Sequence, residues 1–373
     1  MSAPLVLPRF ADVVVVPVVA VACAFLVAGL VVLAIGENPL EVTALLVRGA
    51  LGSREAIGLT LYYATSFSFA GLAVAVAYHA GLFNIGGEGQ AILAGIAAAL
   101  AAFAGEGLPA PLLLPLAVLA AAAGGAVTAA IPGWLQAKRG SHVVITTIMF
   151  NFLAATLLVY LLVDVMGRPG SMAPESRNLP EAARIASVHG VLRGFGVDMP
   201  TTPLNLSLLL ALLAAFAVWV LIWRTRLGYE MRTVGANPDA AAYAGISTAR
   251  VVVVAMAISG ALAGGIAVNE ILGVQHRLIL EFTAGAGFVG IAVALMGRAH
   301  PVGVLLAALL FGAVTQGGAD LSFDKPSITR DMTTVIGGVV ILFAGALDGL
   351  FRRLVARIWA ARRPGVPTLA RAA

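Results

Sequence analysis

Ala80-Gly-Leu-Phe-Asn-Ile-Gly-Gly-Glu-Gly-Gln90 lies between two long apolar runs, Leu59–Tyr78 before it and Ala91–Ala104 after it. Its four glycines, Gly81, Gly86, Gly87 and Gly89, cannot sustain a straight helix. Each costs roughly 1 kcal/mol against alanine in a helix interior. Asn84, Glu88 and Gln90 are groups that lipid does not tolerate unpaired, and an intramembrane carboxylate marks a functional site by default. Irregular backbone survives at membrane depth only where protein buries it or where it lines a watery cavity. The stretch therefore reads as a helix break beside a solute pathway. It reads equally as a loop at the membrane surface, with Asn84 capping the next helix and Glu88 in its first turn.

Composition sets the class around this break. The 373 residues are 60% hydrophobic and 11% charged, with a mean hydropathy of +0.99. Soluble domains carry about 25% charged residues, so the chain is an all-α, polytopic membrane protein. The net charge of +5 raises the question of nucleic acid, but its distribution argues against that partner and for a lipid bilayer. The single Cys23 sits in an apolar run, so no disulfide framework or metal cluster forms within one chain. Met1–Asp12 lacks a cleavage site after a short apolar core and reads as the lead-in to a retained first span.

In chain order, Val13–Ile35 is long enough to span the hydrocarbon and Gly36-Glu37-Asn38-Pro39 breaks it. Residues 36–58 read as an external segment whose apolar positions approximate one helical face, an amphipathic helix on the membrane. Spans follow at Leu59–Tyr78, Ala91–Ala104, Leu112–Ile131 (ending at Pro132-Gly133), Val143–Val163 and Leu204–Trp223. Val251–Asn269 crosses next, Glu270–Glu281 is a mixed turn, and Thr283–Met296, Val302–Gln316 and Met332–Leu347 complete about ten crossings of a single transmembrane domain, 1–373. The polar excursions are residues 166–203, 224–250 and a basic tail, 349–373.

With the N-terminus inside, about 14 of the 23 Lys and Arg residues fall on the cytoplasmic side. Both termini and the loop 224–250 are then cytoplasmic, and 166–203 is external. Gly71-Leu-Ala-Val-Ala-Val and Gly290-Ile-Ala-Val-Ala-Leu echo each other; both run inward in this topology, and repeats in transporters place the solute site between corresponding elements.

Catalytic signatures do not emerge. The sequence has no phosphate loop and no dinucleotide fingerprint. Its five histidines lack ligand spacing, and no carboxylate pair is placed to hold Mg²⁺. No catalytic residue, no metal and no cofactor is assigned; if the protein uses ATP, a partner binds it.

The place for such a partner is Leu227–Ile246. Asn237-Pro238 is a helix start, Asp239 complements the dipole, Ala240–Ala244 are nearly bare backbone, and Gly245 is a C-cap. A short, small-faced helix on a cytoplasmic loop suits docking into a partner's cleft; an ordinary surface helix fits the same residues.

Taken together, Gly81-Leu-Phe-Asn-Ile-Gly-Gly-Glu-Gly-Gln90 and Gly235-Ala-Asn-Pro-Asp-Ala-Ala-Ala-Tyr-Ala-Gly-Ile246 resemble the permease subunit of bacterial ABC importers of the simple-sugar/nucleoside branch. Glu270-Ile-Leu-Gly-Val274, Gly287-Phe-Val-Gly-Ile-Ala-Val-Ala-Leu-Met-Gly-Arg298 and Asn38-Pro39-Leu40 fit the same pattern, and the likeness covers roughly residues 36 to 350. The resemblance implies a multi-pass subunit of the bacterial cytoplasmic (inner) membrane, with cytoplasmic ABC ATPase subunits as partners. It also implies an extracytoplasmic solute-binding lipoprotein and, from the long segment 166–203, a heterodimer with a second permease. It gives ATPase coupling to Gly235, Asn237, Pro238, Asp239, Ala241, Ala242, Ala244 and Gly245. The solutes implied are nucleosides, then simple sugars. A nucleoside needs an apolar platform and amide or carboxylate groups for its hydroxyls. Phe83, Asn84, Glu88, Gln90, Asn151, Asn269 and Gln316 are the candidate pathway residues, although each polar one could instead tie helices together. The rival is a secondary transporter or channel working without an ATPase. Against it, Glu88 is the one carboxylate read as mid-membrane, a poor provision for an ion relay.

Overall fold

The computed structural model describes residues 15–168, 170, 172–197 and 199–325, with isolated positions at 332, 335, 338, 339, 355 and 356. The expected last span, Met332–Leu347, the tail 349–373 and the lead-in Met1–Asp12 lie outside the described residues or almost entirely so. Among the described residues, thirteen α-helices follow one another: α1 Val16–Ala34, α2 Pro39–Leu51, α3 Arg54–His79, α4 Gly87–Ala104, α5 Ala110–Arg139, α6 Val143–Tyr160, α7 Val188–Gly194, α8 Ser207–Arg224, α9 Arg226–Ala236, α10 Pro238–Tyr243, α11 Thr248–Ala267, α12 Ala286–Met296 and α13 Pro301–Asp324. Wider π-helical turns extend α6 over Leu161–Val165 and α11 over Val268–Gln275.

Among the described residues, seven helices are long and apolar enough to cross a membrane, or eight if the bent pair α1–α2 counts as one span. That is fewer than the ten crossings expected. The 11-residue α12 is too short to cross by itself, and the last expected span is outside the described residues.

Packing divides the chain into two compact units, residues 1–48 with 318–373 and residues 49–317. In the smaller unit, Lys325 lies 3.0 Å from both Glu37 and Glu41, and these carboxylates push its ammonium pKa up. The larger unit holds the functional stretch.

Three boundaries differ from expectation. The amphipathic helix ends at Leu51, not at 58: the Ser53 hydroxyl accepts from the Ala56 N–H at 3.0 Å and starts α3 at Arg54. Pro132 does not end α5, which carries on to Arg139 and stops at the left-handed Gly140. Glu270 does not begin a turn, because the π-helical continuation of α11 carries the helix to Gln275.

Small residues set the packing of the larger unit. Gly125 of α5 meets Gly260 of α11 backbone to backbone, and Gly264 meets Ala121. Van der Waals contact between close backbones holds membrane helices where lipid is as apolar as the side chains. The two echoing segments pack on one another: Gly71 faces Val293 and Gly290 faces Ala70.

The bundle has two distinct ends. At one, the Trp223 ring lies between His79 and His300, at 5.3 and 5.0 Å, and the His79 Nε2 is 3.0 Å from the Ala299 carbonyl. α9 and α10 belong to this end. At the other, the segment 172–206 folds back on the chain following α11: the Ile185 N–H donates to the Leu272 carbonyl at 2.8 Å and Ser176 N–H to Leu278 at 3.0 Å. Arg177 there pairs with Glu106 at 2.7 Å over the Phe103 ring.

Candidate functional site: a re-entrant break and its cavity

The glycine stretch is a re-entrant break inside the bundle. α3 ends at His79, Gly81 turns the chain with φ +73°, and residues 82–86 run back along α3. Asn84 reaches Ser259, whose hydroxyl donates to the Ala73 carbonyl at 2.6 Å. Ala73 is six residues before the end of α3, so the break sits roughly 9 Å inside the span at 1.5 Å per residue.

Asn84 of the break itself and Asn151 of α6 satisfy its backbone. The Asn84 Oδ1 accepts from the Gly86 N–H and the Gln90 Nε2, both at 2.9 Å. Its Nδ2 donates to Gln90 Oε1 at 2.9 Å and Ser259 Oγ at 2.8 Å. On α6, Asn151 accepts from the Gly89 N–H at 2.9 Å and donates to the Ile85 carbonyl at 3.0 Å. Asn84, Gln90 and Asn151 are buried and form the knot that lets irregular backbone persist at this depth.

Glu88 does something different. It stands in the first turn of α4, yet its carboxylate serves α12. The Thr283 hydroxyl donates to Oε1, the Gly285 N–H donates to it at 3.0 Å, and the Gly287 N–H donates to Oε2 at 2.9 Å. The positive end of α12 therefore holds a carboxylate supplied by another helix. The two N-termini touch, since a Cβ on Gly87 would lie 3.4 Å from the Gly287 Cα. α4, long enough to cross, and the 11-residue α12 start side by side and run to opposite ends.

Beside this junction is a cavity of about 690 Å³, lined on α6 by Ile148, Asn151, Phe152 and Val159 among others, and opposite by Leu280–Phe288 positions with Glu88. From Ile148 to Val159 it follows α6 for roughly 16 Å, about half the hydrocarbon thickness. It runs from the level of the break toward the end that carries the segment 172–206. Volume and lining, mostly apolar with a few polar groups, match a small-molecule site.

Of the seven candidate pathway residues, the structure brings Glu88 and Asn151 to this cavity. Asn84 and Gln90 lie behind it in the knot. Phe83 is half-buried in the re-entrant segment, and Gln316 is buried on α13. Asn269 belongs to a second cluster, off the cavity, at the end that carries the segment 172–206. Its Oδ1 accepts from Asn205 Nδ2 at 2.9 Å and Ser207 Oγ at 2.7 Å, and its Nδ2 donates to Ser66 Oγ at 2.8 Å. Glu270 beside it accepts from the Tyr62 hydroxyl and from Ser66 Oγ at 2.9 Å and is buried. Glu88 is therefore not the sole carboxylate within the spans, a correction to the sequence reading. The signal was present: no proline or glycine separates Asn269-Glu270 from the apolar run before it.

At the α9 end, α10 covers Pro238–Tyr243, with the Asn237 Oδ1 accepting from the Ala240 N–H at 3.0 Å and Gly245 left-handed at φ +77°. Ala241 is buried in this chain; Ala242, Ala244, Asn237, Pro238 and Asp239 are exposed, and Tyr243 is 97% exposed. Gly235 packs against His79, Ala80 and Gly81.

Residues 56–345 match the family described as "Branched-chain amino acid transport system / permease component". The chain belongs to this permease family. The match covers most of the chain, including both glycine-rich junctions. Among its relatives is the glucose ABC transporter permease protein TsgB13 of Haloferax volcanii, 37% identical over 88% of this chain and 86% of that protein. The guanosine ABC transporter permease protein NupP of Bacillus subtilis is 34% identical over 89% of this chain and 92% of its own. A second guanosine permease of the same bacterium, NupQ, is 28% identical over 68% and 78%. No solved structure matches the chain. A permease assignment accounts for an all-helical chain with several membrane-length helices and a buried helix break beside a cavity.

Proposed function

We propose that this chain is the transmembrane subunit of an ATP-driven importer and forms half of a pathway for nucleosides or simple sugars. The observation that carries the reading is the cavity of about 690 Å³ beside the junction of the α4 and α12 N-termini, flanked by Phe152, Phe288, Asn151 and Glu88. Aromatic faces suit a base or a sugar ring, and few polar groups suit a path that must bind weakly. Relatives named for glucose and guanosine support that solute class.

Two cytoplasmic ATPase subunits bind and hydrolyse ATP, and α10 is the element they move. An extracytoplasmic binding protein delivers solute at the end carrying the segment 166–203. A second permease completes the pathway, as the pair NupP and NupQ in one bacterium suggests. Both termini and the loop 224–250 are cytoplasmic, following the Lys/Arg asymmetry. Glu270 lies off the cavity, so it adds no ion relay along it.

Purification of the tagged chain from its own membranes in mild detergent tests this reading. An ATP-binding subunit and a second permease should accompany it in stoichiometric amount. Recovery of the chain alone, fully active in solute uptake, would favour the secondary transporter. Cysteines at Phe195 and Arg250 in a Cys23→Ser background should label from opposite faces of intact cells; labelling of both from one face would overturn the topology.

A further inference from the structure

The cavity holds two carboxylates and no Lys, Arg or His among its lining residues. Glu88 is fully occupied at the α12 N-terminus by Thr283, Gly285 and Gly287. Asn151 is occupied by the re-entrant backbone. Glu281 differs from both. Its side chain is exposed to the cavity without a hydrogen bond or ion pair among the described residues. The nearby Arg277 is drawn away to Glu175 at 3.3 Å. Glu281 is also held at φ +55°, and Ala284 at φ +46°, a region that non-glycine residues rarely adopt. The backbone thus holds an unpaired carboxylate at an apolar wall, where strain of this kind accompanies function.

We propose that Glu281 is a specificity-determining residue that sets the charge selectivity of the pathway. It admits uncharged or cationic polar solutes with an apolar face and turns away phosphorylated ones, such as nucleotides and sugar phosphates. This rests on the importer reading for its solute class, but the charge filter is a property of the cavity itself. A fixed negative charge beside low-dielectric walls acts over the whole width of a cavity this size. Glu88 contributes less, because three donors and the α12 dipole offset its charge.

The test is reaction of a single cysteine with methanethiosulfonate reagents of similar size and opposite charge. Ala155 lines the facing wall on α6, and Cys23 is the one native thiol. In membranes containing the full transporter, Ala155→Cys in a Cys23→Ser background should react faster with the cationic reagent than with the anionic one. Glu281→Gln should lower that rate ratio about fivefold, the size expected for one unit charge within about 8 Å in a water-filled groove. Glu281→Asp, which keeps the charge, should preserve most of the ratio. An unchanged ratio in Glu281→Gln overturns the proposal. Failure of either reagent to react overturns it as well, because lipid rather than water would then fill the cavity. The reaction needs neither ATP nor solute, so its outcome is independent of whether guanosine or glucose uptake is observed.

Discussion

Gly235 lies against Gly81 with no side chain between them: a Cβ on Gly235 would stand 2.8 Å from the Gly81 nitrogen, and one on Gly81 would stand 3.1 Å from the Gly235 Cα. Gly235 is the penultimate residue of α9, two before the Asn237 cap of α10, and Gly81 opens the re-entrant segment. Backbone contact makes the exposed helix and the intramembrane break mechanical neighbours. This contact joins the helix that leads into α10 directly to the re-entrant break.

Gly235→Val should therefore uncouple the transporter. Overpacking of a close contact costs about 1–3 kcal/mol and is relieved by pushing α9 off the break. Uptake should fall at least about tenfold at normal membrane levels, with the ATPase subunits still attached. Uptake at the native rate would mean that the contact transmits nothing.

The carboxylate at the α12 N-terminus should stabilise the permease measurably. Glu88→Gln keeps one acceptor oxygen and turns an amide against the Gly285 or Gly287 N–H. Loss of a charged hydrogen bond costs about 1.5–3 kcal/mol, so the detergent-solubilised protein should melt several degrees lower. Thr283→Val removes one donor only and should cost less. Equal melting of Glu88→Gln and the native protein would show the junction to be held by packing alone.

On α10 the burial pattern separates docking from folding. Ala241 is fully buried within this chain, whereas Ala242 and Tyr243 are exposed. Ala241→Glu should lower permease levels by burying a charge, at a cost of several kcal/mol. Ala242→Glu and Tyr243→Ala should leave levels normal and abolish co-purification of the ATPase. Retention of the ATPase by both exposed variants would remove α10 from the docking surface.

His276 predicts a pH dependence at the opposite end. Burial, with Arg184 second, holds its imidazole pKa below the usual value. The folded chain resists a proton that the unfolded chain accepts, so stability should decline as pH falls below about 6.5 and be complete above it. His276→Asn tolerates the left-handed φ of +52° and should flatten the melting temperature between pH 7.5 and 5.5. A slope that persists in that variant would assign the dependence to another group.

The sequence reveals the break and the small-faced helix, because both rest on local rules. Asn237-Pro238 starts α10 and Gly245 ends it in the left-handed region, as their types dictate. Glycine density at 81–89 marks where α3 cannot continue. What the sequence hides is partnership over distance. That Glu88 serves α12 rather than its own helix depends on residues about 200 positions away. The interhelical knots of Asn84 and Asn269 depend on the same long-range pairing. Glu270 reads as a turn residue because π-helical backbone has no compositional signature; Pro132 reads as a stop, yet α5 continues past it because helix-breaking residues are tolerated inside membrane helices.

On the function proposed above, solute crosses this subunit only when partner subunits hydrolyse ATP. The most direct test is uptake of radiolabelled guanosine and glucose into proteoliposomes holding the complete transporter, with its binding protein outside and ATP enclosed. Uptake should stop when ATP is omitted or replaced by a non-hydrolysable analogue, and should be indifferent to proton and sodium gradients. Uptake by the permease alone, driven by an ion gradient with no ATPase present, would contradict it.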